Sequence, residues 1–177
     1  MAEEILSKMS SLSISKTEPD ASSSSSMISL MTADGVIFEI EPLIAKEMKT
    51  VQSFIDETSD STSTIPLPNI YSDQLPLIIE YCRKQISEKI TKEFKAEFVK
   101  DLNNEEVKDL FLAANYLNMD HLFDYLSQVI ADRIANRSVE YVRKYFGVES
   151  DFTPEEEATI RKERAWAFTG VIEDDDD

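Results

Sequence analysis

Residues 107–119, VKDLFLAANYLNM, followed by 121–136, HLFDYLSQVIADRIAN, and 151–168, DFTPEEEATIRKERAWAF, decide how this chain is read. In the first segment Val107, Leu110, Phe111, Ala114 and Leu117 line one face of a helix. Leu112 and Tyr116, four apart, lie on the opposite side. A helix apolar on both sides is either sandwiched in a core or shared with a partner. The second segment repeats the surplus. Leu122, Phe123, Leu126, Val129, Ile130 and Ile134 sweep an arc of about half the cylinder, wider than the ~100° stripe that faces a single core. The third segment is the reverse, well capped but thinly apolar. Thr153 as N-cap, Pro154 at the first helical position and Glu156 three residues after the cap form a capping box. Glu155 to Glu157 complement the start of the helix dipole, and Arg161, Lys162 and Arg164 its end. Ile160 is its only large aliphatic residue before Trp166 and Phe168. A tryptophan among charges near a chain end has the character of an interface anchor. The three segments together imply apolar surface meant for another polypeptide. The competing reading is that the wide arc is buried on two sides by the chain's own domain.

The 177 residues suit one domain with appendages, and 42% hydrophobic content suits a globular core. The formal net charge is -17, from 35 acidic and 18 basic residues, which disfavours nucleic acid and anionic membranes as partners. It equally suits a basic protein partner or simple solubility. With one cysteine, Cys82, no internal disulfide can form, and the opening MAEEILSKMSS has no secretory pattern. No apolar segment approaches the ~20 residues of a membrane span. A soluble, intracellular protein is expected.

Upstream, the serine run Ser22–Ser26 marks residues 1–26 as a disordered tail. Apolar alternation on both sides of Asp34-Gly35 (Ile28, Leu30; Val36, Phe38, Ile40) predicts a β-hairpin with a primed turn. Pro42 opens a helix, in two pieces, through Leu43, Ile44, Met48, Val51, Phe54 and Ile55. A polar loop over Asp56–Thr64 follows, and then IPLPNI, residues 65–70, reads as an extended segment confined by its prolines to a sheet edge. Ser72 or Asp73 is expected to cap a helix whose buried stripe is Leu75, Ile78, Ile79, Cys82 and Ile86. A thiol on such a stripe is structural. Lys84–Lys100 is amphipathic through Ile90, Phe94, Phe98 and Val99, and Asn103 or Asn104 caps the helix after it. SVEYVRKYFGV, residues 138–148, predicts a short helix stopped by Gly147.

Catalytic chemistry has little to work with. The single histidine, His121, has no second histidine for a zinc site, and the three glycines build no phosphate loop. No cofactor, metal or small-molecule substrate is expected. A thiol enzyme would need Cys82 exposed. A free-standing acidic chaperone or scaffold for basic proteins is the alternative to a dedicated adaptor.

LFLAANYLNMDHLFD followed by DFTPEEEATIRKERAWAF resembles the Skp1 family, adaptors of cullin-based (SCF) ubiquitin ligases. ADGVIFEIE, IPLPN and IIEYCRK resemble that family in the same order, and the likeness covers about residues 27–168. It implies an α/β fold, a BTB/POZ-like core of a small sheet with surrounding helices, extended by C-terminal helices. The implied division is a core over 27–135 that binds cullin and an extension over 136–170 that binds the F-box together with the helix of residues 122–135. A tail of residues 171–177, acidic from Glu173 onward, closes the chain. The implied function is a non-enzymatic adaptor between F-box proteins and a cullin, in cytoplasm and nucleus. Carried over by motif, the cullin-facing residues are Asn115 and Tyr116 with Leu112, and the F-box-facing residues are Val129, Phe146, Phe152, Ile160 and Trp166. The chain departs from the family in the short mixed-charge KEFKAEF, in Leu126-Ser127, and in the proline-free Arg137-Ser138-Val139-Glu140-Tyr141. These departures cluster near the receptor-binding side.

Overall fold

The computed structural model describes residues 27–58, 64–88 and 90–171. The Ser-rich tail, most of the polar loop before β3 and nearly all of the acidic tail lie outside the described residues. The architecture is mixed α/β and mostly helical, a BTB/POZ-like core with a three-stranded sheet. β1 (Ile28–Thr32) pairs antiparallel with β2 (Ile37–Ile40), setting Leu30 opposite Phe38. β3 (Ile65–Leu67) pairs parallel with β1, so the order is β2-β1-β3. Pro66 is therefore on an edge strand, as its missing N–H requires, and Pro68 follows in the turn after it.

The hairpin forms where Asp34-Gly35 places it, but its turn differs from the primed kind. Thr32 O accepts from Gly35 N–H at 2.9 Å and Val36 O from Thr32 N–H at 3.0 Å. Gly35 (φ +82) has the turn's only positive φ. This is a three-residue connection, a β-turn closed by a left-handed glycine. The buried Thr32 explains the choice, because its hydroxyl donates to Val36 O and accepts from Val36 N–H, locking the longer turn.

The first helix does come in two pieces, α1 (Pro42–Glu47) and α2 (Lys49–Glu57), with Pro42 in the first turn. Then follow α3 (Gln74–Ser87), α4 (Lys92–Lys100), α5 (Asn104–Tyr116) and α6 (Asp120–Ile134). α7 (Val139–Phe146), α8 (Pro154–Glu163) and a 3-10 turn (Ala165–Phe168) complete the described chain. The core gathers Leu30 and Ile40 from the sheet, Ile44, Met48 and Val51 from α1–α2, and the inner faces of α3, α5 and α6.

On α3, Leu75, Ile78, Ile79 and Cys82 are buried, but Ile86 is exposed because the last turn runs past the core. Tyr81 takes a core place instead, its ring 5.4 Å from that of Phe98. Of the two expected caps, Asp73 takes the N-cap position of α3, but without a capping bond. Its backbone angles are helical. Ser72 is committed elsewhere, donating through its hydroxyl and its N–H to Asp34 of the hairpin, and Gln74 Oε1 accepts from Tyr71 N–H instead. That bonding to Ser72, with Thr32, holds the Asp34 carboxyl below its ordinary value. Asn103 caps α5 in a full capping box with Glu106. Asn118 (φ 55) and Asn136 (φ 59) stand just beyond α5 and α6 in the left-handed region, which asparagine tolerates better than a branched residue.

Candidate functional site

Two exposed regions lie on separate parts of the chain, one on α5 and one on α7, α8 and the 3-10 turn. The first is at the C-terminal end of α5. Val107, Leu110, Ala113, Ala114 and Leu117 turn inward, which leaves Leu112 61% exposed, Asn115 exposed and Tyr116 half-buried against the core. The helix end beneath them is fixed by α2: Thr50 Oγ1 donates to Tyr116 O at 2.7 Å and Thr50 N–H to Leu117 O at 3.3 Å, satisfying carbonyls that a helix leaves open. Lys49 beside it pairs with Asp120 at the start of α6. Nothing in the sequence pattern pointed to Thr50 or Lys49, because their partners are more than sixty residues away. His121 is exposed on the first turn of α6.

The second region is built by α7, α8 and the 3-10 turn. Among their residues only Tyr145 is buried. α8 starts from local chemistry. Thr153 Oγ1 accepts from Glu156 N–H at 3.3 Å, and Glu156 Oε2 accepts from Thr153 N–H at 2.9 Å. The Thr153 N–H, and the Thr153 hydroxyl that donates to the same Oε2 at 3.0 Å, hold the Glu156 carboxyl below its ordinary range. Arg143 of α7 reaches Glu157 Oε1 of α8 at 2.5 Å, Arg161 pairs with Glu140, and the Arg161 guanidinium sits 5.1 Å over the Phe168 ring. Arg143 and Ser150 together hold the Glu157 carboxyl low.

Between α7 and α8 lies a cleft lined by Val139, Phe152, Ile160 and Phe168. This brings together two of the five residues assigned to F-box contact, Phe152 and Ile160. Phe146 is exposed on α7, edge-on to Tyr145, and Trp166 is 75% exposed on the 3-10 turn. Val129 lies apart, half-buried in a groove between α4 and α6 beside Val99 and Tyr125. The wide arc on α6 is largely covered by the chain itself. Leu122, Leu126 and Ile130 are buried, and Phe123 stacks on Phe111 of α5 with ring centres 4.6 Å apart. Past α6, Val139, Phe146, Phe152 and Trp166 stay uncovered, while another exposed apolar set, including Ile37, Leu43 and Phe54, lies on the hairpin and α1–α2.

Two stretches match known family domains: residues 26–87 match the Skp1 family tetramerisation domain, and residues 120–167 the Skp1 family dimerisation domain. SKP1-like protein 14 of Arabidopsis thaliana is 43% identical over 148 residues, covering 82% of this chain and 99% of that protein. SKP1-like protein 16 of the same plant is 39% identical, and SKP1-like protein 20 of Oryza sativa subsp. japonica 36%. Those two alignments cover 82% and 80% of this chain, and 97% and 94% of the relatives.

The chain belongs to the Skp1 family. That is a family of adaptors, not known as enzymes. Cys82 is wholly buried, and burial pushes its thiol up to about 12. Among the described residues no three of His, Cys, Asp and Glu gather as a metal site, and no helix is long and apolar enough to cross a membrane. The family-divergent opening Arg137-Ser138-Val139-Glu140-Tyr141 becomes the start of α7 without a proline. Ser138 Oγ caps it by accepting from Tyr141 N–H at 2.9 Å.

Proposed function

We propose that this Skp1-family chain is a non-enzymatic adaptor that joins an F-box substrate receptor to a cullin scaffold in an SCF-type ubiquitin ligase. The observation that carries the reading is the pairing of a fully capped α8 with an absence of buried residues on it and on the 3-10 turn. A segment formed by its own capping yet unpacked, ending in an exposed tryptophan, is pre-ordered for a partner. Phe146, Phe152, Ile160 and Trp166, with Val129 on α6, take the receptor; Leu112, Asn115 and Tyr116 on α5 take the cullin. The division of labour is a core over 27–135 facing the cullin and an extension over 136–170 that shares the residue 122–135 helix to face the F-box. The mechanism is proximity: substrate is held beside a ubiquitin-loaded enzyme that this chain does not touch. Cytoplasm and nucleus are the compartments where this would operate.

Trp166→Ala should weaken binding to an F-box domain by about 2 kcal/mol, roughly thirtyfold, and leave cullin binding unchanged. Asn115→Lys with Tyr116→Lys should do the reverse. Calorimetric titration of each partner against each variant measures both effects, and two unaffected bindings would refute the assignment.

A further inference from the structure

α7 is held to the body in an unusual way. At eight residues it is too short to persist unaided, and it buries only Tyr145. Two polar contacts from α5 supply much of what fastens it. Lys108 Nζ donates to Tyr145 O at 2.6 Å, and Asn104 Nδ2 donates to the Tyr141 hydroxyl at 3.3 Å. In both contacts the partners are 37 residues apart. Residues 104 and 108 are one turn apart on α5, as 141 and 145 are on α7. The contacts are therefore spaced by one helical turn on both elements, like successive rungs. A single rung would leave α7 free to pivot; two fix its rotation and its height.

Each rung is reinforced. Tyr145 O belongs to the last turn of α7, where carbonyls lack helical partners and a cation opposes the dipole. The ammonium is steadied by Glu105 Oε1 at 2.7 Å and lies 5.4 Å from the centre of the Tyr145 ring, and the Lys108 side chain is only 19% exposed. Asn104 is turned by Arg133 of α6, whose Nη1 donates to Asn104 Oδ1 at 2.9 Å. An arginine only donates, so the amide must aim its NH2 group at Tyr141. Arg133 is itself fastened to Leu102 O at 2.7 Å.

We infer that Lys108 and Asn104 are positioning residues for the receptor surface: touching no receptor themselves, they set α7, and through the Arg143–Glu157 pair also α8, in the pose a receptor meets. The inference rests on the reading of α7 and α8 as that surface. Loosening the rungs leaves the receptor to order α7 on binding, and that cost appears as lost affinity.

The test titrates the full chain by calorimetry against an F-box domain that co-purifies with the unaltered chain. Lys108→Met should lower receptor affinity about tenfold, the scale of one charge-assisted bond. Cullin affinity should stay within about twofold, and hydrogen exchange should quicken in α7 but not in α3. Lys108→Arg, which can donate to the same carbonyl, should recover most of the loss. Tyr141→Phe, which deletes a single hydroxyl and leaves the fold the least disturbed, should show the same pattern at about threefold. An unchanged receptor affinity in Lys108→Met overturns the inference, as does a parallel loss of cullin binding or of α3 protection. If Trp166→Ala weakens receptor binding while Lys108→Met and Tyr141→Phe do not, the adaptor reading stands and the positioning role falls. If Trp166→Ala is also without effect, both fall.

Discussion

Cys82 and Trp166 show how differently one chain treats its apolar bulk. Cys82 sits in the inner stripe of α3 with no exposed surface, and burial raises its thiol from 9.0 to about 12. The thiolate, the reactive form, is thereby strongly depleted in the folded state at neutral pH. Iodoacetamide at pH 8 should accordingly leave Cys82 unmodified in the native protein over hours and label it within minutes in denaturing urea, as mass spectrometry would show. Rapid labelling of the native chain would revive a thiol-enzyme reading. Trp166, on a turn that buries nothing, keeps 75% of its surface in water. At this scale the sequence was partly legible. Ile78, Ile79 and Cys82 are buried at the positions their spacing requires. Tyr81 was passed over although it stands three residues after Ile78, because a phenol counts as polar until a pocket such as that beside Phe94 and Phe98 encloses its ring. Ile86 was misplaced because periodicity does not say where the core ends.

At the level of elements, the most readable parts were those whose cause is local. The hairpin at Asp34-Gly35, the N-terminal Pro42, the Thr153 capping box and the left-handed Gly147 closing α7 each arise from contacts within four residues. α8 is the purest case, since it has capping and charge order but no buried side chain. Removing its cap should therefore act on α8 alone. Thr153→Ala should cost about 1 kcal/mol of local helix stability, near a fivefold rise in α8 amide exchange, with the melting temperature of the whole protein unchanged. A matching fall in melting temperature would show that α8 is part of the cooperative core. Elements whose pairing depends on distant chain were not legible: the parallel union of β3 with β1, the Thr50 bonds under Tyr116, and the Asn104 and Lys108 rungs to α7.

For the whole molecule, the charge of -17 sets the terms on which partners are met. If the receptor is held through the cleft of Val139, Phe152, Ile160 and Phe168 and through Trp166, most of the free energy comes from apolar burial, which salt does not screen. Receptor affinity should then vary less than about threefold between 50 and 500 mM NaCl in calorimetric titrations. A fall of a hundredfold would favour the acidic-chaperone alternative, in which the negative surface itself does the binding.

The sequence by itself determined most of the elements, the caps of α5 and α8, the family, and the wide apolar arcs on α5 and α6, because helix periodicity and capping act within a few residues. Only the tertiary structure decided where the apolar residues end up. It covers the α6 arc with α4 and α5, leaves α8 and Trp166 uncovered, and fastens α7 by polar rungs from α5. Burial depends on which distant segments meet, and no local pattern encodes that meeting.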